Sequence, residues 1–170
     1  LGWGRDDAFL VYSGAAATFD HAKACRRLGH ALIALRQADL ALAPLVQTEE
    51  LLGKLAGQAA IGEEVLDLAL DLAPLYLSHD QVDKAQALWE RALPLAEAAE
   101  RFEDVVRVRQ QLAAQALRAE DIGLAEAHLR AALDALGKGV DVPEAEASLR
   151  DQLAIVALRR GDHDGAIESL

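Results

Sequence analysis

The sequence predicts an all-α chain built from about four antiparallel helical hairpins, and three observations carry that expectation. Alanine and leucine dominate while β-branched residues, proline and glycine are few, the composition of a helix-forming chain. Four aspartates, Asp39, Asp80, Asp121 and Asp162, stand 41 residues apart, each between two stretches whose apolar residues recur at helical spacing. Two alanine series keep nearly the same step: Ala43, Ala85, Ala125 and Ala166, and twelve residues before each of these Ala31, Ala73, Ala113 and Ala154. Small residues at a fixed separation on facing helices let a hairpin close.

Taken in order, residues 1–19 hold Trp3, Phe9, Tyr12 and Phe19, four of the seven aromatic residues in the chain. A helix over 7–17 is expected there, a partial repeat or a cap that lies as a lid over the end of the array, because terminal repeats are atypical. The first hairpin, 20–60, pairs a helix bearing Ala24, Leu28, Ala31, Leu32 and Leu35 with one that Asp39 caps and that runs to about Leu55. The second, 61–100, runs from Glu63 to Ser78, turns at Asp80, and continues through Val82, Ala85, Leu88, Trp89, Ala92 and Leu93. Pro74 and Pro94 fall inside its helices, each removing one backbone hydrogen bond, so bends are expected. The third, 101–140, joins Phe102–Ala119 to Ile122–Leu136, and Gly137-Lys138-Gly139 is expected to stop the second helix. The last, 141–170, starts at Pro143, turns at Gly161-Asp162 and is cut short at Leu170. The chain has no methionine and begins at Leu1, which reads as a segment of something longer.

Charge and cysteine usage narrow the function classes. Acidic residues outnumber basic ones by 28 to 17, and a formal charge of −11 repels phosphate backbones and anionic lipid surfaces alike. Neither nucleic acid nor membrane is therefore an expected partner of this segment. Cys25 is the single cysteine, which excludes an intrachain disulfide, and no apolar run of about 18 residues is present to span a bilayer. A cytoplasmic setting is expected.

Leu153–Leu170 carries Ala154 and Ala157 and then Gly161-Asp162-His163-Asp164-Gly165-Ala166-Ile167, and this stretch resembles a tetratricopeptide repeat, as does Leu72–Leu93. The resemblance covers residues 24–170 and rests on registered copies more than on any one of them. The step of 41 exceeds the common form's roughly 34, resembling the long-helix variants of bacterial signalling regulators and kinesin light chains. The first copy departs most, with Gln47 and Glu50 where the others have apolar and small residues. What the resemblance implies is a right-handed superhelical array whose first helices line a concave groove. Its implied lining includes Leu28, Leu32, Leu35 and Arg36 in the first repeat, Leu70 and Leu77 in the second, Leu117 and Arg118 in the third, and Ile155, Leu158 and Arg159 in the fourth.

A trough this apolar is expected to dock a protein or peptide, helical or extended. Arg36, Arg118 and Arg159 would share one column, where guanidinium groups can read carboxylates on an incoming chain. The competing reading of that column is a cation at each helix C-terminus, set against the dipole. The family's clamp for chaperone tails needs lysine and asparagine, and this chain has no asparagine, which excludes that partner. The alternative function is a sensory or regulatory repeat domain of a larger bacterial signalling or transcription-regulating protein; self-assembly through the end after Leu170 is a further possibility. No catalytic motif, cofactor or metal is expected. His21 and Cys25 have ligand spacing but no second pair, and the acidic runs Glu63, Glu64, Asp67, Asp71 and Glu97, Glu100, Glu103, Asp104 read as solvated faces before they read as acid–base pairs. Gly137-Lys138-Gly139 lacks the spacing of a phosphate loop.

Overall fold

A computed structural model of the chain describes residues 5–55, 61–139 and 143–169, with side-chain surroundings given from residue 14 to 167 of those stretches. Every regular element among the described residues is an α-helix. They are α1 (Arg5–Ala34), α2 (Ala38–Lys54), α3 (Gly62–Ser78), α4 (Val82–Ala98), α5 (Phe102–Arg118), α6 (Ile122–Gly139), α7 (Pro143–Arg160) and α8 (His163–Ser169). The all-α expectation holds, and consecutive helices pack as repeated hairpins. Two compact units divide the chain, Leu1–Ala85 and Gln86–Leu170. In the first, α1 packs on α2, and α3 packs on both; in the second, α5 pairs with α6, α6 with α7, and α7 with α8.

The turns inside the hairpins share one chemistry. At each, a residue in the left-handed region, Arg36 (φ 59°), Asp80 (φ 59°), Glu120 (φ 60°) or Gly161 (φ 81°), follows the last helical turn. The next amide then reaches back five residues to a carbonyl of the ending helix: Gln37 to Leu32 at 2.9 Å, Gln81 to Tyr76 at 2.8 Å, Asp121 to Ala116 at 2.9 Å and Asp162 to Ala157 at 2.9 Å. This is the Schellman arrangement, which satisfies carbonyls that a helix end otherwise leaves bare. Glu100 (φ 54°) and the Arg101 amide repeat it between α4 and α5.

These corners correct the expected register of the first copy. The residues preceding the second helices are Gln37, Gln81, Asp121 and Asp162, so the step is 44, then 40, then 41. Asp121 and Asp162 cap as expected, each oxygen accepting from the amide three residues on, Leu124 and Gly165, both at 2.9 Å. Asp39 instead lies inside the first turn of α2 and Asp80 takes the left-handed position. The buried small residues follow the corrected step: Ala41, Ala85, Ala125 and Ala166 on the second helices, Gly29, Ala73, Ala113 and Ala154 on the first. Ala31 and Ala43 are exposed. Gly29 is required where it stands, because a Cβ there would collide with the side chain of Leu45, itself fully buried. The extra residues fall in the connection after α2, which runs from residue 55 to 61 where the later connections have three residues.

Two further boundaries differ from expectation. Residues 5–34 form one helix where a cap and a separate first helix were expected. The stretch has no proline, is rich in alanine, and tolerates Gly14, whose carbonyl accepts the Thr18 hydroxyl at 2.9 Å. Asp20 is consequently mid-helix. Of the expected aromatic lid, Trp3 lies outside the described residues and Phe9 and Tyr12 outside the described side chains, while Phe19 lies beneath the Lys23 ammonium, 4.2 Å from the ring centroid. α6 also runs on through Gly137-Lys138-Gly139 rather than stopping before it. Pro44, Pro74 and Pro94 sit inside α2, α3 and α4, and those helices continue through them.

Candidate functional site

In the first unit, the residues expected to line a binding face divide by exposure. Leu28 and Leu35, seven apart on α1, are 55% and 69% exposed, and Leu32 between them is half-buried. On α3, Leu70 and Leu77 are also seven apart and half-buried. A spacing of seven returns to the same side of a helix, so each pair forms one strip. Cys25, by contrast, belongs to the core, and His21 is exposed with Gln47 at 3.5 Å from its ring. No group of three or more metal-ligating side chains occurs among the described residues.

On the side of α1 away from Leu28 and Leu35, a charge cluster joins α1 to α3. The Arg26 guanidinium lies 2.6 Å from Glu64, 3.3 Å from Asp67 and 3.8 Å from Asp71, and the His30 ring meets Asp71 at 3.0 Å. Helical spacing puts Glu64, Asp67 and Asp71 on one side of α3, so a single cation from the facing helix serves all three. Burial works against the charge of Arg26, but the hydrogen bond with Glu64 and the charges of Glu64, Asp67 and Asp71 outweigh it and raise its pKa. The acidic run expected to be a solvated face is therefore an interhelical clamp. A second polar tie joins α2 to α3: the Tyr76 hydroxyl donates to Glu49 at 2.7 Å. Burial, that hydrogen bond, and the charges of Glu49 and Glu50 push the phenol above its ordinary range.

The arginine column changes with the register. Arg118 and Arg159 stand exposed in the last turns of α5 and α7, where a cation meets the helix dipole. Arg36 stands two residues past the end of α1 in the left-handed position. The residue of α1 equivalent to Arg118 and Arg159 is Ala34, which has no charge to offer.

In the second unit, Ile155 and Leu158 of α7 are 49% and 52% exposed, Leu117 of α5 is half-buried, and Arg159 is exposed beside Leu158. Exposed aliphatic residues also occur on second helices, Leu40, Leu124 and Ile167, each within the first turns after a corner. Sequence spacing did not single these out, because an apolar residue three to five places after a corner reads as the start of a core stripe. Arg160 reaches α6, 2.8 Å from Glu126, and Glu126 also holds Arg130 at 2.7 Å, which ties the last hairpin to the one before it.

No protein-family model matches this sequence, and no curated protein matches it. What the geometry defines is a class: an all-α protein of repeated helical hairpins, with exposed aliphatic strips on the first helices of both units. Among the described residues, no helix is long and apolar enough to cross a membrane.

Proposed function

We propose that this chain is a protein-interaction module of tetratricopeptide-like hairpins, and that the first helices present its docking strips to an amphipathic helix of another polypeptide. One observation carries the reading: Leu28, Leu35, Ile155 and Leu158, large aliphatic side chains on first helices, are each about half exposed or more. Within each unit, large aliphatic side chains held in water on one helix are unfavourable unless something covers them. A helix with an aliphatic side fits strips spaced at three, four and seven, since each turn presents a residue to each turn. The formal charge of −11 favours a partner whose flanks are basic, chiefly by speeding encounter and rejecting acidic competitors. Arg118 and Arg159 at helix ends add local cations where an acidic residue of such a partner can orient.

The test uses the full chain with two paired variants, Leu28→Asp with Leu35→Asp, and Ile155→Asp with Leu158→Asp. All four positions are exposed, so helicity is retained. A partner captured by the parent protein is mapped by cross-linking to its bound segment. The reading predicts an amphipathic helical segment and at least about tenfold weaker binding by one or both variants, the loss of roughly 1.4 kcal/mol. Unchanged binding by both variants overturns it.

A further inference from the structure

We propose that a pocket between α4, α5 and α6 of the second unit is a ligand site for an aliphatic amide, whose N–H and C=O pair with the carboxamide of Gln115 while its branched carbon chain meets Leu93, Leu112 and Leu124. The cavity has a volume of about 310 Å³, at the small end of the range usual for ligand pockets. Its lining lies on the opposite side of α5 from Leu117, so this site is separate from the aliphatic strips described above.

Three polar residues are buried among the described residues, and two of them are served from within the protein. The Thr48 hydroxyl reaches the carbonyls of Pro44 at 2.9 Å and Ala22 at 3.4 Å, and Asp104 pairs with Arg101 at 2.7 Å. Gln115, 6% exposed, has no hydrogen-bond partner on either its nitrogen or its oxygen. A carboxamide in that condition is destabilising, and buried polar groups are almost always satisfied. The equivalent positions of the neighbouring copies are Leu75 and Val156, both buried and apolar. An unserved donor and acceptor therefore stand in one copy where the fold elsewhere uses hydrocarbon.

A second substitution of the same kind converges on the same cavity. His128 lines it, at the position that Leu88 occupies one repeat earlier. Burial, then the charge of Arg109, lowers the pKa of this imidazole against the opposing pull of Glu90, which keeps the ring neutral. Glu90 at the rim is engaged by Gln86 at 2.8 Å. The pocket thus combines a neutral ring, a carboxamide with free donor and acceptor, and aliphatic walls. An amide is the group that offers one donor and one acceptor side by side to match Gln115. A carboxylate lacks the donor and meets the repulsion of Glu90.

The experiment follows the side-chain amide signals of the full chain, labelled with nitrogen-15 in glutamine, by NMR during titration with 4-methylpentanamide. The Gln115 signals are assigned by their absence in Gln115→Leu. Expected are a saturable shift of those signals together with the His128 ring protons, at least about tenfold weaker binding of methyl 4-methylpentanoate, which lacks the donor, and a similar loss in Gln115→Leu. Gln115→Met, closer in shape, guards against repacking in the leucine variant. The proposal is overturned by an absence of saturable shift, by equal affinity for amide and ester, or by retained binding in both variants.

Discussion

Replacing Arg26 by methionine removes the guanidinium that faces Glu64, Asp67 and Asp71 across α1 and α3 while keeping most of the side-chain volume. The three carboxylates stay on one side of α3, with side-chain exposures of only 14% to 27%. Breaking a fully buried ion pair by deleting one partner costs about 3–5 kcal/mol, because the remaining charge is left in a poor dielectric. Partial exposure admits water and screens part of that, so the expected loss is about 2–4 kcal/mol. For a chain of this size each kcal/mol moves the midpoint by roughly 2–4 °C, which gives a drop of about 5–15 °C in far-ultraviolet circular dichroism melts at neutral pH. The charge origin is separable. In a background carrying Glu64→Gln and Asp71→Asn, the same Arg26→Met change has far less uncompensated charge to expose, and its cost falls by more than half. Urea titrations of the four proteins give the coupling as a cycle. A loss below about 0.5 kcal/mol in the parent background, or an equal loss in both backgrounds, refutes the clamp.

Other perturbations follow from the same geometry. Gly29→Ala destabilises the chain by about 1–3 kcal/mol in urea titration, although alanine is the better helix former by about 1 kcal/mol, because the added methyl meets Leu45; Leu45→Ala in the same protein recovers part of the difference. Gln115→Leu raises stability by about 1–2 kcal/mol, since it removes an unserved buried amide, and a melting midpoint at or below the parent's contradicts that. His128 gives a pH dependence with a defined sign. Its folded-state pKa is lowered, so the unfolded chain binds the proton more tightly. Its contribution is complete above the ordinary histidine value of about 6.5 and is lost as pH falls through that value toward the lower one. Urea midpoints measured on both sides of about pH 6.5 fall on acidification, and His128→Leu flattens that part of the curve.

Much of the fold was legible from composition and spacing, and the part that was not has a specific cause. Helices α3, α5 and α7 start within a residue or two of where apolar periodicity and Pro143 put them. The first copy slipped by two residues because an alanine-rich chain offers small residues at many positions. Ala31 and Ala43 fit the repeat step as well as any, and only burial distinguishes them from Gly29 and Ala41. A glycine in mid-helix with a leucine sixteen residues on was the available signal, and spacing alone does not weigh it. Of the residues expected to line the groove, Leu28, Leu35, Ile155 and Leu158 are exposed, while Leu32, Leu70, Leu77 and Leu117 are half-buried, because helical spacing marks a shared side of a helix but not which side solvent reaches. The Arg26 clamp was not, since its partners lie 38 or more residues away and an acidic run looks the same in water or against an arginine. Gln115 was readable once the copies were aligned on Ala73, Ala113 and Ala154, because it is the polar member of an otherwise apolar column from α3 to α7.

The left-handed corners carry a consequence for engineering. Arg36, Asp80, Glu100 and Glu120 hold φ between 54° and 60°, a conformation that crowds Cβ against the backbone and that glycine or asparagine adopts with less strain. Each is exposed on its own turn. Four such replacements, each contributing a few tenths of a kcal/mol to about 1, would lift the denaturation temperature. The molecule therefore holds a thermostability reserve in its bends.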